Sequence, residues 1–160
     1  MSTSREKNNL IPQGKYVPAS RVGNMIYTAG MTPRTNGVLI QSGKVSAEKP
    51  VDTYKQASIQ AVTNALTAAR NLLTEHEKLE QIVSLTVYIN AEETFEAHSS
   101  LADFASEYLY EELGSAGVGS RAAIGVASLP GNSSVEIQLI ASVSFKGTDY
   151  EVLGFSNSRS

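Results

Sequence analysis

The segment SRAAIGVASLPGNSSVEIQLIASVSF, residues 120–145, contains two apolar runs separated by Pro-Gly-Asn, and each run is typical of a β-strand. The first run has one charged residue, Arg121, near its start, and the second has one carboxylate, Glu136. Because Pro, Gly and Asn favour tight turns, we predict that the two strands form a hairpin. In such a hairpin Ala127 lies opposite Glu136, and Arg121 lies near Ser142, about six residues or roughly 20 Å farther along the strands.

Side chains alternate across a sheet, so each predicted strand has two faces. In the second strand one face is entirely apolar, and its residues are Val135, Ile137, Leu139, Ala141 and Val143. In the first strand we assign Ala122, Ile124 and Val126 to this helix-covered face, and Arg121 to the opposite face together with Glu136. The opposite face is small and polar but too apolar for ordinary solvent surface, so we expect a partner subunit to cover it.

The remaining chain predicts an α+β fold, a single mixed β-sheet with two helices packed on one face. Residues 17–31 predict a hairpin with Gly-Asn at its turn, and a short strand follows at 38–41. Apolar residues recur at steps of three and four over 51–75 and 97–113, which predicts two amphipathic helices, while 82–90 alternate as a strand. The order ββ(β)-α-β-α-β-β is typical of a two-layer α+β domain.

Composition and charge exclude several classes of protein. The chain has 160 residues, a net charge of −3 and 41% hydrophobic residues, which suits one globular domain. Its 13 Lys and Arg residues are spread along the sequence, so we expect no nucleic-acid partner, and no apolar run is long enough for a membrane span. Without cysteine or an apolar N-terminal segment, we expect a cytoplasmic protein. We divide it into a polar tail (1–13), one domain (14–146) and a C-terminal tail (147–160).

Four motifs in order resemble the RidA/YjgF family of reactive-intermediate deaminases, formerly called endoribonuclease L-PSP. The motifs are GKYVPASRVGNMIYTAG (14–30), SLTVYI (84–89), SRAAIGVASLP (120–130) and SVEIQLIA (134–141). The segments GVASLP and ADFASEYLYEELG are most similar to a subgroup described as chorismate-mutase-like. The resemblance covers about residues 12–146 and implies a homotrimer, in which three sheets pack their helix-free faces inward and three ligand clefts lie between subunits.

The resemblance also implies an activity. Enzymatic members hydrolyse the imine and enamine tautomers of 2-aminoacrylate-type compounds to a 2-keto acid and ammonia, and they need no metal or organic cofactor. By motif, Arg121 binds the substrate carboxylate, Glu136 acts near the reacting atoms, and Tyr16, Gly30 and Met31 line the cleft. The residue types suit this chemistry, because a guanidinium binds a carboxylate with two charge-assisted hydrogen bonds and an enclosed carboxyl can transfer protons.

The long separation within the predicted hairpin implies a shared site. Two side chains roughly 20 Å apart cannot both touch one small ligand. We therefore expect each cleft to take Arg121 from one subunit and Glu136 from its neighbour.

Departures from the family pattern leave other functions open. Ala29 and Met31 stand where members often have Ser and Gln, and Ser99 or Ser100 stands where an Asn often faces the site. A non-catalytic trimer that binds small carboxylates is the alternative. Ribonuclease activity is less favoured because no basic groove with aromatic residues is present. Chorismate mutase activity is also less favoured, since a dicarboxylate substrate needs more than one cation in the cleft.

Neither histidine of the chain suggests a metal site. His76 and His98 have no Cys or acidic cluster at ligand spacing. We therefore predict no bound metal.

Overall fold

A five-stranded sheet organises the computed structural model, which describes residues 10–147. Two helices pack on one of its faces, which confirms the predicted α+β class. The sheet strands are Ala19–Val22 (β1), Met25–Thr28 (β2), Glu77–Asn90 (β5), Ser120–Val126 (β6) and Val135–Phe145 (β7). A separate two-stranded ribbon is formed by Arg34–Thr35 (β3) and Val38–Leu39 (β4). The α-helices are Lys55–Arg70 (α1) and His98–Leu113 (α2).

The two predicted tails lie almost entirely outside the described residues. Of the N-terminal tail, residues 1–13, only 10–13 are described, and Leu10 packs against the core. Of the C-terminal tail, residues 147–160, only Gly147 is described. The domain boundaries therefore stay a prediction.

The strand order is β1-β2-β7-β5-β6, and it contradicts the predicted hairpin between the last two strands. Strand β5 lies between β6 and β7, pairing parallel with the first and antiparallel with the second. Parallel neighbours need a long crossover connection, and α2 supplies it between β5 and β6. Residues Pro130–Asn132 form a 3₁₀ turn rather than a hairpin loop. The prediction was wrong because a local turn signal cannot show that a third strand separates its two flanking strands.

The register also corrects the predicted face of Arg121. Arg121 is level with Leu85 of β5, which is level with Leu139 of β7. Both leucines are buried under the helices, so Arg121 lies on the helix-covered face. Ile124 lies on the helix-free face and is 42% exposed. We had assigned the more apolar face of β6 to the helices, and this assignment was wrong. The edge strand β6 faces polar residues of α2, which the sequence of β6 alone does not show.

Helix α1 packs closely on the sheet because alanine lines its buried side. Small side chains let the helix approach β7, whose buried Ile137 and Leu139 fill the space between them. The helix follows a 3₁₀ turn at Val51–Tyr54 and ends at Arg70, before the predicted end near residue 75. The buried alanines of α1 are Ala57, Ala61, Ala65, Ala68 and Ala69.

A bidentate ion pair joins β1 to the start of β5. The Arg21 guanidinium donates from Nη1 to Glu77 Oε1 at 2.7 Å and from Nη2 to Oε2 at 2.6 Å. Glu77 is only 9% exposed. Hydrogen bonding to Arg21, with a smaller contribution from the Thr74 N–H, lowers the pKa of Glu77 from 4.5 to about 2. Strand β5 begins at Glu77 rather than at the predicted residue 82, because its first residues pair with the end of β7 at Phe145.

This pair should make stability depend on pH in a defined range. A lowered pKa stabilises the fold above about pH 4.5, and the contribution, roughly 3 kcal/mol, is lost as the pH falls towards 2. Glu77→Gln should therefore lower the free energy of unfolding at pH 7 by roughly 2–3 kcal/mol and remove this acid sensitivity. Urea denaturation at several pH values measures both. The control is Glu112→Gln at the exposed pair with Arg70, where we expect less than about 1 kcal/mol. If the stability of Glu77→Gln depends on acid pH as strongly as that of wild type, the acid-sensitive contribution does not come from the Arg21–Glu77 pair.

Candidate functional site

Glu136 lies on the helix-free face of β7, and its carboxyl contacts Gly30. A Cβ added at Gly30 would lie 2.8 Å from Glu136 Cδ, so only glycine leaves room for this carboxyl. Within residues 10–147 the Glu136 side chain has no hydrogen-bond or ion-pair partner. It is partly buried, and this desolvation raises the pKa of its carboxyl above the usual value. Among the described residues Glu136 is thus an unpaired carboxyl, and it keeps its proton to higher pH than an exposed glutamate does.

A cavity of about 330 Å³ lies beside Gly30. Tyr16, Gly30 and Met31 line it, so the structure brings together the three residues predicted for the cleft wall. Met31 is held by backbone hydrogen bonds: its N–H donates to Ile137 O at 2.7 Å, and its carbonyl accepts from the Ile137 N–H at 2.9 Å. The Tyr16 hydroxyl accepts from the Gln13 N–H at 3.2 Å. Because β7 fixes the backbone at Met31, this wall is positioned by the sheet.

Arg121 is held by one face of α2. Its Nη1 donates to Asp103 Oδ1 at 2.7 Å and to Ser106 Oγ at 3.1 Å. Its Nη2 donates to Ser99 Oγ at 2.8 Å, whereas Ser100 is exposed. Within the described part of the chain, Nε of Arg121 has no acceptor. The guanidinium is therefore positioned by the helix and keeps one donor free.

Arg121 and Glu136 do not form one site within a chain. Arg121 is level with Leu139, and Glu136 is three residues farther along β7, on the opposite face of the sheet. Three residues and two strand spacings separate their Cα atoms by roughly 14 Å. The predicted separation within a hairpin is wrong, but a small ligand still cannot touch both side chains of one chain.

Two residues that position Arg121 were missed by the sequence analysis. Asp103 and Ser106 follow Ser99 at i+4 and i+7, which places all three on one face of α2. This spacing was visible in the sequence, but a polar stripe on a helix is ordinarily a solvated surface. The contact between Gly30 and Glu136 had no local signal, because the two residues are distant in sequence.

Alanine at Gly30 should displace the Glu136 carboxyl without unfolding the protein. The added methyl group meets the end of a flexible side chain, so Glu136 can move, and we expect less than about 1 kcal/mol of destabilisation. A displacement of about 1 Å from the working position can lower a rate by roughly 100-fold. We therefore expect a loss of that order in any activity that depends on Glu136, measured as kcat/KM.

Gly147→Ala is the matched control, because an added Cβ there has no atom of the described residues within 4 Å. If Gly30→Ala keeps the wild-type kcat/KM, the activity does not depend on the position of the Glu136 carboxyl.

Neither a metal-binding residue group nor a membrane-spanning helix is found among the described residues. Residues 10–147 contain no group of three or more His, Cys, Asp or Glu side chains that could hold a metal ion. Within the same residues, no helix is both long and apolar enough to cross a membrane.

Comparisons with known proteins give the following matches. The family profile described as Endoribonuclease L-PSP matches residues 6–143. The chain is 30% identical to Atu1372 from Agrobacterium tumefaciens, a protein with unknown function, over 81% of this chain and 82% of that chain, with a TM-score of 0.74. It is 23% identical to the YjgF gene product from E. coli, over 82% and 90% of the chains, with a TM-score of 0.61. It is 20% identical to E. coli TdcF with bound serine, over 81% and 88%, with a TM-score of 0.59. The last two matches show a shared fold.

Proposed function

This chain belongs to the Endoribonuclease L-PSP family, also called RidA/YjgF, and from that premise we propose that it hydrolyses small imino acids to 2-keto acids and ammonia. The observation that carries the proposal is the Glu136 carboxyl, which is unpaired among the described residues, has a raised pKa and contacts Gly30, a residue that lines a cavity. A group with these properties can transfer protons in general acid–base catalysis.

The reaction needs an anion-binding group as well as a proton carrier. We propose that Arg121 of one subunit binds the substrate carboxylate while Glu136 of a neighbouring subunit faces the C=N bond. A water molecule adds to the imine carbon, and Glu136 transfers a proton from that water towards the nitrogen. The hydroxyl of the resulting carbinolamine then gives up its proton, which Glu136 relays to the nitrogen, and C=O forms as the C–N bond breaks, so that one imine and one water give one 2-keto acid and one ammonia.

The proposed site needs an assembly, and we propose a homotrimer. The helix-free face carries partly exposed apolar side chains, including Tyr27 at 44% and Ile124 at 42% exposure. Such a face is typical of an interface between subunits. Light scattering should give about three times the chain mass of 17.1 kDa. A monomer at micromolar concentration would contradict both the trimer and the shared site.

Turnover separates the enzyme from a non-catalytic binder. A pyridoxal-phosphate-dependent dehydratase generates 2-aminoacrylate in solution, and the release of 2-keto acid is followed with and without the protein. Acceleration in proportion to protein concentration supports hydrolysis. Pyruvate binding without acceleration supports instead a protein that only binds small carboxylates, and the absence of both contradicts the proposed site.

Composition favours neither RNA cleavage nor an oxidising compartment. The chain has 16 Asp and Glu against 13 Lys and Arg, so it lacks the positive charge that attracts a phosphate backbone. The absence of cysteine fits a reducing compartment, and the cytoplasm stays its predicted location.

A further inference from the structure

Within the described chain, α2 binds every donor of the Arg121 guanidinium except Nε. Nη1 donates to Asp103 Oδ1 at 2.7 Å and to Ser106 Oγ at 3.1 Å, and Nη2 donates to the hydroxyl of Ser99 at 2.8 Å and to its carbonyl at 3.4 Å. A guanidinium has five N–H groups, so the one on Nε remains for a ligand. The buried side-chain nitrogen that lacks a partner among the described residues is Nε of Arg34, so the unpartnered Nε of Arg121 is not buried. A ligand carboxylate can therefore reach Arg121 at this donor.

Asp103 places a negative charge close to this free donor. Its side chain is 56% exposed, and its second oxygen, Oδ2, has no hydrogen-bond partner among the described residues. Because Nε and Nη1 belong to one guanidinium, a ligand carboxylate on Nε lies within about 8 Å of the Asp103 carboxylate. This distance is shorter than the Debye length of about 10 Å at 0.1 M salt, so salt screens the repulsion between the two carboxylates only in part. Arg121 is thus a weak binding group for a ligand whose only charge is a carboxylate.

A ligand with a positive charge beside its carboxylate offsets this repulsion. In an amino acid or a protonated imino acid, the nitrogen is bonded to the carbon that carries the carboxylate, so the two opposite charges are close together. When the carboxylate accepts from Nε of Arg121, the cationic nitrogen is attracted by the Asp103 carboxylate. A 2-keto acid has the same carbon skeleton without the cation, so it keeps the full repulsion. The Arg121–Asp103 pair is therefore complementary in charge to a zwitterion.

We propose that Asp103 makes the Arg121 site selective for zwitterions, so that the substrate binds as a protonated imino acid and the 2-keto acid product binds weakly. The reaction in this inference rests on the proposed imine hydrolysis, whereas the charge selectivity concerns binding alone. A protonated C=N group is the form to which water adds most readily, because the positive charge withdraws electrons from the carbon. Asp103 stabilises that form electrostatically. Hydrolysis removes the nitrogen, and the repulsion between Asp103 and the remaining carboxylate then favours release of the product.

Calorimetry with alanine and pyruvate tests the selectivity without turnover. The two compounds share a three-carbon skeleton and a carboxylate, and alanine adds a cationic nitrogen. Wild type should bind alanine about tenfold more tightly than pyruvate. Asp103→Asn keeps an oxygen acceptor for Nη1 of Arg121 and removes the charge, so alanine should bind about fivefold more weakly and pyruvate about fivefold more tightly. Glu111→Gln is the matched control, because this exposed carboxylate of α2 lies two turns, or about 12 Å, from Asp103 and should affect neither ligand.

The outcomes distinguish this inference from the proposed function. Opposite changes for the two ligands in Asp103→Asn support the charge selectivity. Changes in the same direction, no change for either ligand, or no binding of alanine by wild type would overturn it. Keto-acid release from 2-aminoacrylate is measured separately, so selectivity without hydrolysis overturns the proposed function alone, and hydrolysis without selectivity overturns this inference alone. Thermal unfolding shows whether each variant is folded.

Discussion

Arg121→Ala should abolish imine hydrolysis, with kcat/KM reduced by at least about 100-fold. The expected size follows from the loss of a charge-assisted hydrogen bond to the substrate carboxylate from Nε, the donor that Arg121 keeps free, worth roughly 1.5–3 kcal/mol, together with the loss of the positive charge. The loss should appear in keto-acid release from 2-aminoacrylate. The same variant should lose pyruvate binding in calorimetry, because the Arg121 guanidinium is proposed to bind any small carboxylate.

The control for Arg121→Ala must separate the loss of substrate binding from the loss of the contact between β6 and α2. Arg121 also joins β6 to α2 through Asp103, so its removal could loosen the helix. Arg70→Ala removes another arginine–carboxylate pair that involves α2, the exposed one with Glu112, and should keep full activity. Arg121→Lys keeps a charge in place of the fork and should keep a small fraction of the activity. If Arg121→Ala is folded and as active as wild type, the assigned role is wrong.

Mixed trimers of Arg121→Ala and Glu136→Ala chains should regain about one quarter of the wild-type activity. Each parent trimer lacks one group in all of its clefts, so each alone should be inactive. When equal amounts of the two chains assemble at random, about three quarters of the trimers contain both chains. If the site is shared between neighbours, each of these mixed trimers has one intact cleft out of three. The measurement is keto-acid release after the two chains are unfolded and refolded together.

The mixing experiment excludes a site formed within one chain. Glu136 and Arg121 lie on opposite faces of one sheet, so the shared cleft is the only arrangement by which both could contact one small ligand. Differently tagged chains show that subunits have exchanged. Confirmed mixed trimers that remain as inactive as their parents would refute the shared site.

The sequence alone predicted the helices and strands because their signals are local. The periodicity of α2 predicted residues 97–113, and the helix spans His98–Leu113. The Gly-Asn turn predicted the first hairpin, and β1 pairs with β2 around it. The family motifs also selected Tyr16, Gly30 and Met31 for the cleft wall; the three line one cavity, and their role in binding stays a prediction. In each case the deciding residues are close in sequence or belong to a recognised motif.

Strand pairing, and with it the surroundings of both charges, was decided only by the tertiary structure. The Pro-Gly-Asn turn predicted a hairpin, but β5 inserts between β6 and β7, since a parallel pair with β6 is made through α2. That pairing places Arg121 under α2 and leaves Glu136 on the opposite face, against Gly30. Alternation along a strand shows which residues share a face, but the neighbours on each face come from distant segments of the chain.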